Sequence, residues 1–246
     1  AAIQAQQRFS RQNEQEADRI GMQTLQGAGY DPRSMPDMFG RLMSQYRYDS
    51  KPPEFLMSHP VTESRIADTR NRAEQFPPGG VKDTLRYQLM RARTQLIFEE
   101  TPGMAAKRFQ AMLKDEPKYD PARYGLAIAQ IQGGQLKLAG ESLQPLLDKF
   151  PDEIVYNLAQ VELDLTAKRL ADVRVRIEKL IKAFPNSYPV LQALTDLQVK
   201  EGKTADAEQT LDKLVKQRPY DPDIWYQVAE IRGQTGNIIG LHQARA

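Results

Sequence analysis

Two carboxylates near the start of the chain, Glu14 and Asp18, are four residues apart. On a helix, residues at this spacing share one face, so the two side chains would lie side by side. Like charges placed this way repel each other mildly unless a cation lies between or beside them. The spacing alone therefore fits two structures. One is a solvated acidic face with Arg11 and Arg19 as partners, and the other is a site for a cation.

A second group of polar residues follows a proline-rich stretch, in Ser58-His59-Pro60 and then Glu63-Ser64-Arg65-Ile66. Taken alone, a histidine before a proline is usually a loop residue, and Arg65 would be a surface cation. The other histidine, His242, lies near the end of the chain. The sequence has no H-E-x-x-H, no glycine-rich phosphate loop and no nucleophile elbow, so these 246 residues contain no complete catalytic set.

These motifs together resemble those of the HtpX-like gluzincin metallopeptidases. The run Glu14-Gln15-Glu16-Ala17-Asp18 is similar to the family's E-x-x-A-D-type helix motif. Gly29-Tyr30-Asp31-Pro32 follows the helix, and an H-P-x-x-x-x-R-I pattern is complete as His59, Pro60, Arg65 and Ile66. Three linked motifs in the family's order are far more specific than any one of them, and the repeats that follow resemble the periplasmic branch found in Gram-negative bacteria.

The resemblance implies a role for each matching residue. Glu14 would be a ligand of one zinc ion, and His59 would lie at the metal, either as a ligand or as a group that stabilises the oxyanion. Asp18 would orient a ligating histidine or take part in proton transfer, and Arg65 would fix the histidine loop or bind substrate. The other two ligands and the general base belong to an H-E-x-x-H helix. We expect that helix upstream of Ala1 in the natural protein, and we expect the chain alone to be inactive.

A proline ladder dominates the second half of the chain, with prolines 34 residues apart at Pro117, Pro151, Pro185 and Pro219. This is the period of the tetratricopeptide repeat (TPR), a pair of helices that stacks into a solenoid. Each proline would end the second helix of a unit, because its ring cannot continue the helix. Glycines seventeen residues after three of the prolines, Gly134, Gly202 and Gly236, would form the turn inside the unit, whereas Lys168 breaks that series.

The pattern predicts an all-α protein with two domains. Residues 1–76 would be the C-terminal helical part of a gluzincin domain, with helices at about 1–28, 34–48 and 62–75 and a loop from 48 to 60. Residues 77–246 would be a TPR solenoid, because Phe76-Pro77-Pro78-Gly79-Gly80 punctuates the chain. Its units are predicted at about 83–117, 118–151, 152–185, 186–219 and 220–246, the last one cut off. We therefore interpret the chain as a fragment.

Composition excludes several classes of protein. The net charge is +2 with 27% charged residues of both signs, which gives no case for nucleic-acid binding. The chain has no cysteine, so it can form neither a disulfide nor a reactive thiol. No apolar run approaches the roughly 18 residues of a membrane helix, so we expect no transmembrane segment.

Two functions remain open at this point. In the first, implied by the resemblance, the chain is part of a periplasmic zinc metalloendopeptidase that hydrolyses peptide bonds with an activated water. Its repeats would dock unfolded or misassembled outer-membrane β-barrel proteins, or the β-barrel assembly machinery. In the second, the chain is a non-catalytic TPR interaction or chaperone module. Five aromatic residues are candidates for the docking surface or for packing between helices: Tyr119, Tyr124, Tyr156, Tyr188 and Trp225.

Overall fold

The computed structural model describes residues 2–46 and 53–245, with side chains from residue 11 onward. The described part of the chain contains helices and no strands, as predicted, and contacts divide the chain into two compact units, Ala1–Asp83 and Thr84–Ala246. Residues 77–83 lie with the first unit because their backbone folds back onto the turn after the first helix. There Val81 N–H donates to the Gly29 carbonyl at 2.8 Å.

The first unit contains four helices. They are α1 (Ala2–Gly27), α2 (Ser34–Tyr46), α3 (Glu54–Ser58) and α4 (Glu63–Ala73). Helix α4 packs against α1 and α2. The short helix α3 corrects the prediction of a loop from 48 to 60. Pro53 precedes α3, and prolines are tolerated at a helix start, where the missing N–H has no partner to lose. The part of that loop at residues 48–52 lies outside the described residues.

The second unit is a series of antiparallel helix pairs. Its helices are α5 (Leu85–Ile97), α6 (Pro102–Asp115), α7 (Asp120–Gln132), α8 (Leu136–Lys149), α9 (Ile154–Thr166), α10 (Leu170–Ala183), α11 (Tyr188–Lys200), α12 (Thr204–Gln217), α13 (Pro222–Gln234) and α14 (Ile238–Arg245). Odd-numbered members of this series are the first helices of their units, and even-numbered members are the second helices. The predicted solenoid of repeats is confirmed.

Prolines and turn residues have the predicted positions in this array. Helices α6, α8, α10 and α12 end two residues before the four ladder prolines. The turn inside three units has a left-handed glycine, with φ of 71° at Gly134, 73° at Gly202 and 76° at Gly236. Lys168 adopts the same left-handed backbone, with φ of 58°. The unit thus keeps its turn geometry where the sequence lacks the glycine, at the steric cost of a Cβ.

The core of the array repeats with the same 34-residue period. Ala139, Val173 and Ala207 are fully buried where the two helices of a unit meet. Leucines and isoleucines one and two turns later are buried too: Leu143, Ile177, Leu211, Leu146, Leu180 and Leu214. Stacked units each bury their apolar face on the next, which is how a repeat array obtains a continuous core. None of the helices in the described part of the chain is both long and apolar enough to cross a membrane.

Candidate functional site

Helix α1 carries the two carboxylates on one face, as their spacing predicted. The Asp18 side chain is 6% exposed and that of Glu14 is 18% exposed. An ionised carboxylate is costly to bury unless a cation or hydrogen-bond donors compensate it. The position of these two side chains therefore requires a cationic partner from another element, and α4 supplies it.

Arg65 of α4 is that partner. Its Nε donates to Asp18 Oδ2 at 2.8 Å, and its Nη2 donates to Asp18 Oδ1 at 2.6 Å. This two-point pairing matches the planar guanidinium to the carboxylate. The third guanidinium nitrogen, Nη1, lies 2.8 Å from Glu14 Oε2. One guanidinium thus holds both carboxylates of α1, and the hydrogen-bonded pair with Asp18 is the main cause that raises the pKa of Arg65.

His59 completes the cluster from the segment that follows α3. Its Nδ1 contacts Glu14 Oε1, while most of the imidazole ring stays exposed. The Glu14 carboxylate is therefore shared, with one oxygen on His59 and the other on Arg65. The four residues predicted as site residues, Glu14, Asp18, His59 and Arg65, meet in one place although 45 residues separate Glu14 from His59.

The local sequence explains how the H-P-x-x-x-x-R-I pattern positions these groups. Thr62 caps α4, and its hydroxyl accepts a hydrogen bond from the Arg65 N–H at 3.2 Å. The Pro60 carbonyl accepts a further bond from Arg65 Nη1 at 3.1 Å. The arginine thus ties the first turn of its own helix to the peptide that follows His59, which fixes the histidine beside Glu14.

Phe39 of α2 also belongs to the cluster, although no sequence motif identifies it. The guanidinium carbon of Arg65 lies 4.9 Å from the centre of the Phe39 ring, which is a cation–π contact. Phe39 is 6% exposed. In the sequence it is one of several apolar residues at helical spacing on α2, and no local signal separates it from the rest of that stripe.

An open cleft of about 500 Å³ lies against the cluster. Its walls come from α1 and from the segment that starts α4, and its lining residues are Arg11, Glu14, Gln15, Pro60, Thr62, Ser64 and Arg65. Arg11 therefore lies along the cleft, one turn before Glu14. The cleft gives Glu14 access to a group that approaches from outside helix α1.

The donor atoms fit zinc in kind but not in number. Carboxylate oxygen and imidazole nitrogen are both ordinary zinc ligands, and here they are in contact. A catalytic zinc takes three protein ligands and keeps one position open. Among the residues with described placement, no three His, Cys, Asp or Glu side chains converge to hold a metal ion. The pair of Glu14 and His59 is one donor short of that set, and Asp18 is paired with Arg65.

The five aromatic residues of the array contribute mainly to packing. Tyr124 and Tyr156 are buried with their rings 6.0 Å apart. Tyr119, Tyr188 and Trp225 are half-buried against the core clusters. The Trp225 indole N–H donates to the Pro219 carbonyl at 2.8 Å, so it fastens the first helix of its unit to the ladder proline.

Two family models match the chain. Residues 1–73 match the model of peptidase family M48. Residues 99–161 and 164–231 match a tetratricopeptide repeat model, and together they make up more than half of the chain. The first match contains all four members of the carboxylate cluster, and the second contains most of the helix pairs described above.

The beta-barrel assembly-enhancing proteases are similar in sequence. That of Escherichia coli K12 is 39% identical over 163 residues, which are 64% of this chain and 33% of the relative. That of Yersinia pestis is 35% identical over 175 residues, which are 69% of this chain and 35% of the relative. The chain thus spans about a third of the length of these curated relatives.

Solved structures of TPR proteins share the fold. A thermophilic TPR protein of Thermus thermophilus has a TM-score of 0.56 at 18% identity, over 65% of this chain and 87% of that one. A TPR protein of Parabacteroides merdae has a TM-score of 0.59 at 14% identity, over 94% of this chain and 91% of that one. At these identities the likeness concerns the fold alone.

Proposed function

Because the chain belongs to the tetratricopeptide repeat proteins and its residues 1–73 belong to peptidase family M48, we propose that it is part of a zinc metalloendopeptidase with a repeat array that docks proteins. The observation that supports this most directly is the convergence of Glu14, Asp18, His59 and Arg65 beside an open cleft. A helix that only capped a repeat array would need neither the buried carboxylates nor the histidine.

Each residue of the cluster has a part in this proposal. Glu14 offers a carboxylate oxygen to one zinc ion, and His59 offers its imidazole at the same point. Arg65 holds Asp18 and Glu14 at fixed positions, so that the ligand carboxylate faces the cleft in one orientation. Asp18, almost fully buried, keeps the Arg65 guanidinium in place. Bound zinc would act as a Lewis acid on the scissile carbonyl.

The remaining ligands and the general base are proposed to come from residues outside this chain. The 246 residues contain no H-E-x-x-H, and two protein donors do not make a catalytic zinc site. On its own the chain is therefore expected to hold zinc weakly and to leave peptides uncleaved. The longer protein that we propose to contain it would bind one zinc ion.

The names of the relatives support a proposal for substrates, partners and location. The name of the Escherichia coli and Yersinia pestis proteins refers to enhanced assembly of β-barrels. We infer that this chain acts in the periplasm on unfolded or misassembled outer-membrane proteins, and that the array docks these proteins or the assembly machinery. A role in protein quality control, partly as a chaperone, fits a protease whose repeat array binds other proteins.

A zinc measurement on the longer protein tests the proposed ligand. Glu14→Gln removes the charged donor and keeps the shape, so we expect the bound zinc, measured by mass spectrometry, to fall well below one equivalent. Glu16→Gln is the matched control, because Glu16 lies on the same helix, is about half exposed and pairs with Arg19. Stoichiometric zinc in the Glu14 variant would show that the ligand assignment is wrong.

The second candidate is a non-catalytic TPR interaction or chaperone module. It is favoured by the size of the array, which makes up the larger unit of the chain, and by the general use of solenoids as binding surfaces. The two candidates differ in one measurable way. Peptide cleavage by the longer protein that is lost in Glu14→Gln supports the peptidase, whereas unchanged partner binding without any cleavage supports the module.

A further inference from the structure

The array has a continuous groove along one side. Two adjoining cavities of about 440 and 370 Å³ lie in it, and they share Glu162, Leu165 and Asp196. Every residue that lines either cavity belongs to the first helix of a unit, on α5, α7, α9, α11 or α13. The groove is therefore built from one layer of helices, and positions 34 residues apart recur along it.

Three carboxylates occupy one of these recurring positions. Glu162 on α9, Asp196 on α11 and Glu230 on α13 are each 34 residues from the next, and all three line the groove. The same position in the unit before them is held by the buried Ile128 of α7. The acidic row thus begins at α9 and runs toward α13, along one part of the groove.

The three carboxylates differ in whether a nearby cation pairs with them. Glu162 pairs with Arg93, whose Nη2 donates to Glu162 Oε2 at 2.8 Å. Within the described part of the chain, Asp196 and Glu230 form no ion pair at contact distance. Lys200 lies one turn after Asp196 and also lines the groove, and Arg86 lines the opposite end on α5. The α11–α13 part of the groove therefore keeps an excess of negative charge.

Apolar side chains and an unused acceptor lie beside these carboxylates. The larger cavity has walls formed by Ile154, Leu158, Val161, Tyr188 and Ala193. Gln192, one turn before Asp196, donates through Nε2 to Gln227 at 2.8 Å. Its Oε1 is buried and accepts no hydrogen bond from the described residues. A buried acceptor without a donor is costly, so this atom favours an occupant that brings an N–H group.

We propose that this groove binds a peptide segment of another protein in which a lysine or arginine stands beside a large apolar residue. The cation would lie between Asp196 and Glu230, the apolar side chain would enter the 440 Å³ cavity, and a backbone or side-chain N–H would donate to Gln192. This proposal specifies the docking part of the proposed function and does not depend on the zinc site.

The electrostatics of Asp196 agree with such an occupant. The groove walls partly desolvate the Asp196 carboxylate and raise its pKa above the ordinary value, and the Glu162 charge acts in the same direction, whereas Gln192 and Lys200 oppose the shift. A nearby cation stabilises the ionised form of a carboxylate, so a lysine or arginine bound in the groove would stabilise ionised Asp196. Because the carboxylate row is open to solvent, its attraction for a basic segment should weaken as salt is added.

Fluorescence anisotropy with the 246-residue chain tests the proposal directly. The probes are three labelled peptides of equal length that contain leucines and, at the same positions, lysine, glutamine or glutamate. We expect the lysine peptide to bind about tenfold more tightly than the glutamine peptide, and the glutamate peptide to bind more weakly still. Peptides that bind equally well, or that all fail to bind at about 1 mM, overturn the proposal.

Paired variants assign the binding to the groove. Asp196→Asn with Glu230→Gln should weaken binding of the lysine peptide about tenfold. The matched control is Glu178→Gln with Asp212→Asn, which removes equal charge from exposed positions on the second helices α10 and α12, and binding should stay within about twofold of wild type. Equal losses in the two variants overturn the proposal. Zinc binding by the longer protein reports separately on the peptidase part.

Discussion

Arg65 decides the arrangement of the candidate metal-binding cluster. Its guanidinium makes two hydrogen bonds to Asp18 and pairs with Glu14 through the third nitrogen, Nη1. The guanidinium also makes a cation–π contact with the Phe39 ring. Lysine could keep the positive charge but not the planar fork. The identity of the residue, and not its charge alone, therefore determines the positions of both carboxylates.

This difference makes Arg65→Lys a sharp test. We expect it to destabilise the first unit by about 1–3 kcal/mol, because a nearly buried two-point pair with Asp18 is lost. The control is Arg72→Lys on the same helix, whose pair with Asp68 is partly exposed and four residues apart, with an expected change within about 0.5 kcal/mol. Hydrogen exchange of α4 backbone amides measures both, and equal protection in the two variants would contradict the role given to Arg65.

Two buried tyrosines of the array allow a second test at this scale. The Tyr124 hydroxyl accepts a hydrogen bond from Arg93 at 3.1 Å, whereas the buried Tyr156 hydroxyl has no partner among the described residues. We expect Tyr124→Phe to cost about 1 kcal/mol and Tyr156→Phe to cost nothing or to gain up to about 1 kcal/mol. Urea unfolding followed by the single Trp225 measures both. A greater loss from Tyr156→Phe would mean that its hydroxyl is satisfied.

The sequence predicts which residues belong to the cluster, but it does not predict the contacts between them. Family motifs identify Glu14, Asp18, His59 and Arg65, but these motifs do not show that one arginine binds both carboxylates. Those contacts join residues 47 and more positions apart, so no local periodicity reports them. Phe39 was missed for the same reason, because its role depends on how α2 packs beside α4.

At the scale of helices, close packing between the first and second units of the array depends on a glycine. A Cβ on Gly125 of α7 would lie 2.4 Å from the Phe109 ring of α6, whereas a Cβ on Gly140 of α8 would meet only Leu163 Cδ2, at 3.8 Å. The α6–α7 approach therefore requires a residue without a side chain at position 125. Gly140 has no comparable constraint.

We expect opposite effects when each of these two glycines is replaced by alanine. Gly125→Ala should lower the free energy of unfolding of the array by about 1–3 kcal/mol, since the Phe109 ring or the helix must move. Gly140→Ala should raise it by about 0.5–1 kcal/mol, because alanine loses less backbone entropy in a helix. Thermal or urea unfolding compares them, and a neutral Gly125→Ala would show that α6 and α7 can separate freely.

The 34-residue period predicts the helix positions in the array closely, but it does not predict the exceptions to the pattern. The ladder prolines predict where α8, α10 and α12 end. The period does not predict that Lys168 keeps the left-handed turn, because tertiary packing there overrides the residue's own preference. Helix α3 was missed because Pro52 and Pro53 indicate a loop in the sequence. The acidic row at 162, 196 and 230 was in register and could have been found by applying the 34-residue period to charged residues.

At the scale of the whole array, the Asp196 carboxylate should make stability depend on pH. Its pKa in the folded chain is raised above the ordinary 3.8, so the folded chain binds that proton more tightly than the unfolded chain does. The stabilisation by this proton is present below pH 3.8 and is lost as the pH rises through the raised value. At neutral pH the ionised carboxylate therefore lowers stability.

Asp196→Asn removes this penalty. We expect the variant to be more stable than the wild type at pH 7, with a difference that shrinks as the pH falls toward 4. Urea unfolding followed by Trp225 fluorescence measures this, and Asp212→Asn, at an exposed position of α12, is the control. A variant equal to wild type at both pH values would contradict the desolvation of Asp196. A stabilising substitution that also weakens peptide binding would show that the carboxylate is kept for the ligand.

The 34-residue period also makes the array extensible by duplication. In a stacked array each unit contacts mainly its neighbours, so stability is close to a sum over units and their interfaces. Inserting one more copy of residues 168–201 would lengthen the groove by one helix pair and one carboxylate, and the flanking contacts would keep their register. Insertion of a single residue within α9 would instead rotate every later side chain of that helix by about 100°. Gain or loss of whole units during evolution would therefore change the length of the peptide segment that the groove binds. The residue types that line the groove would stay the same.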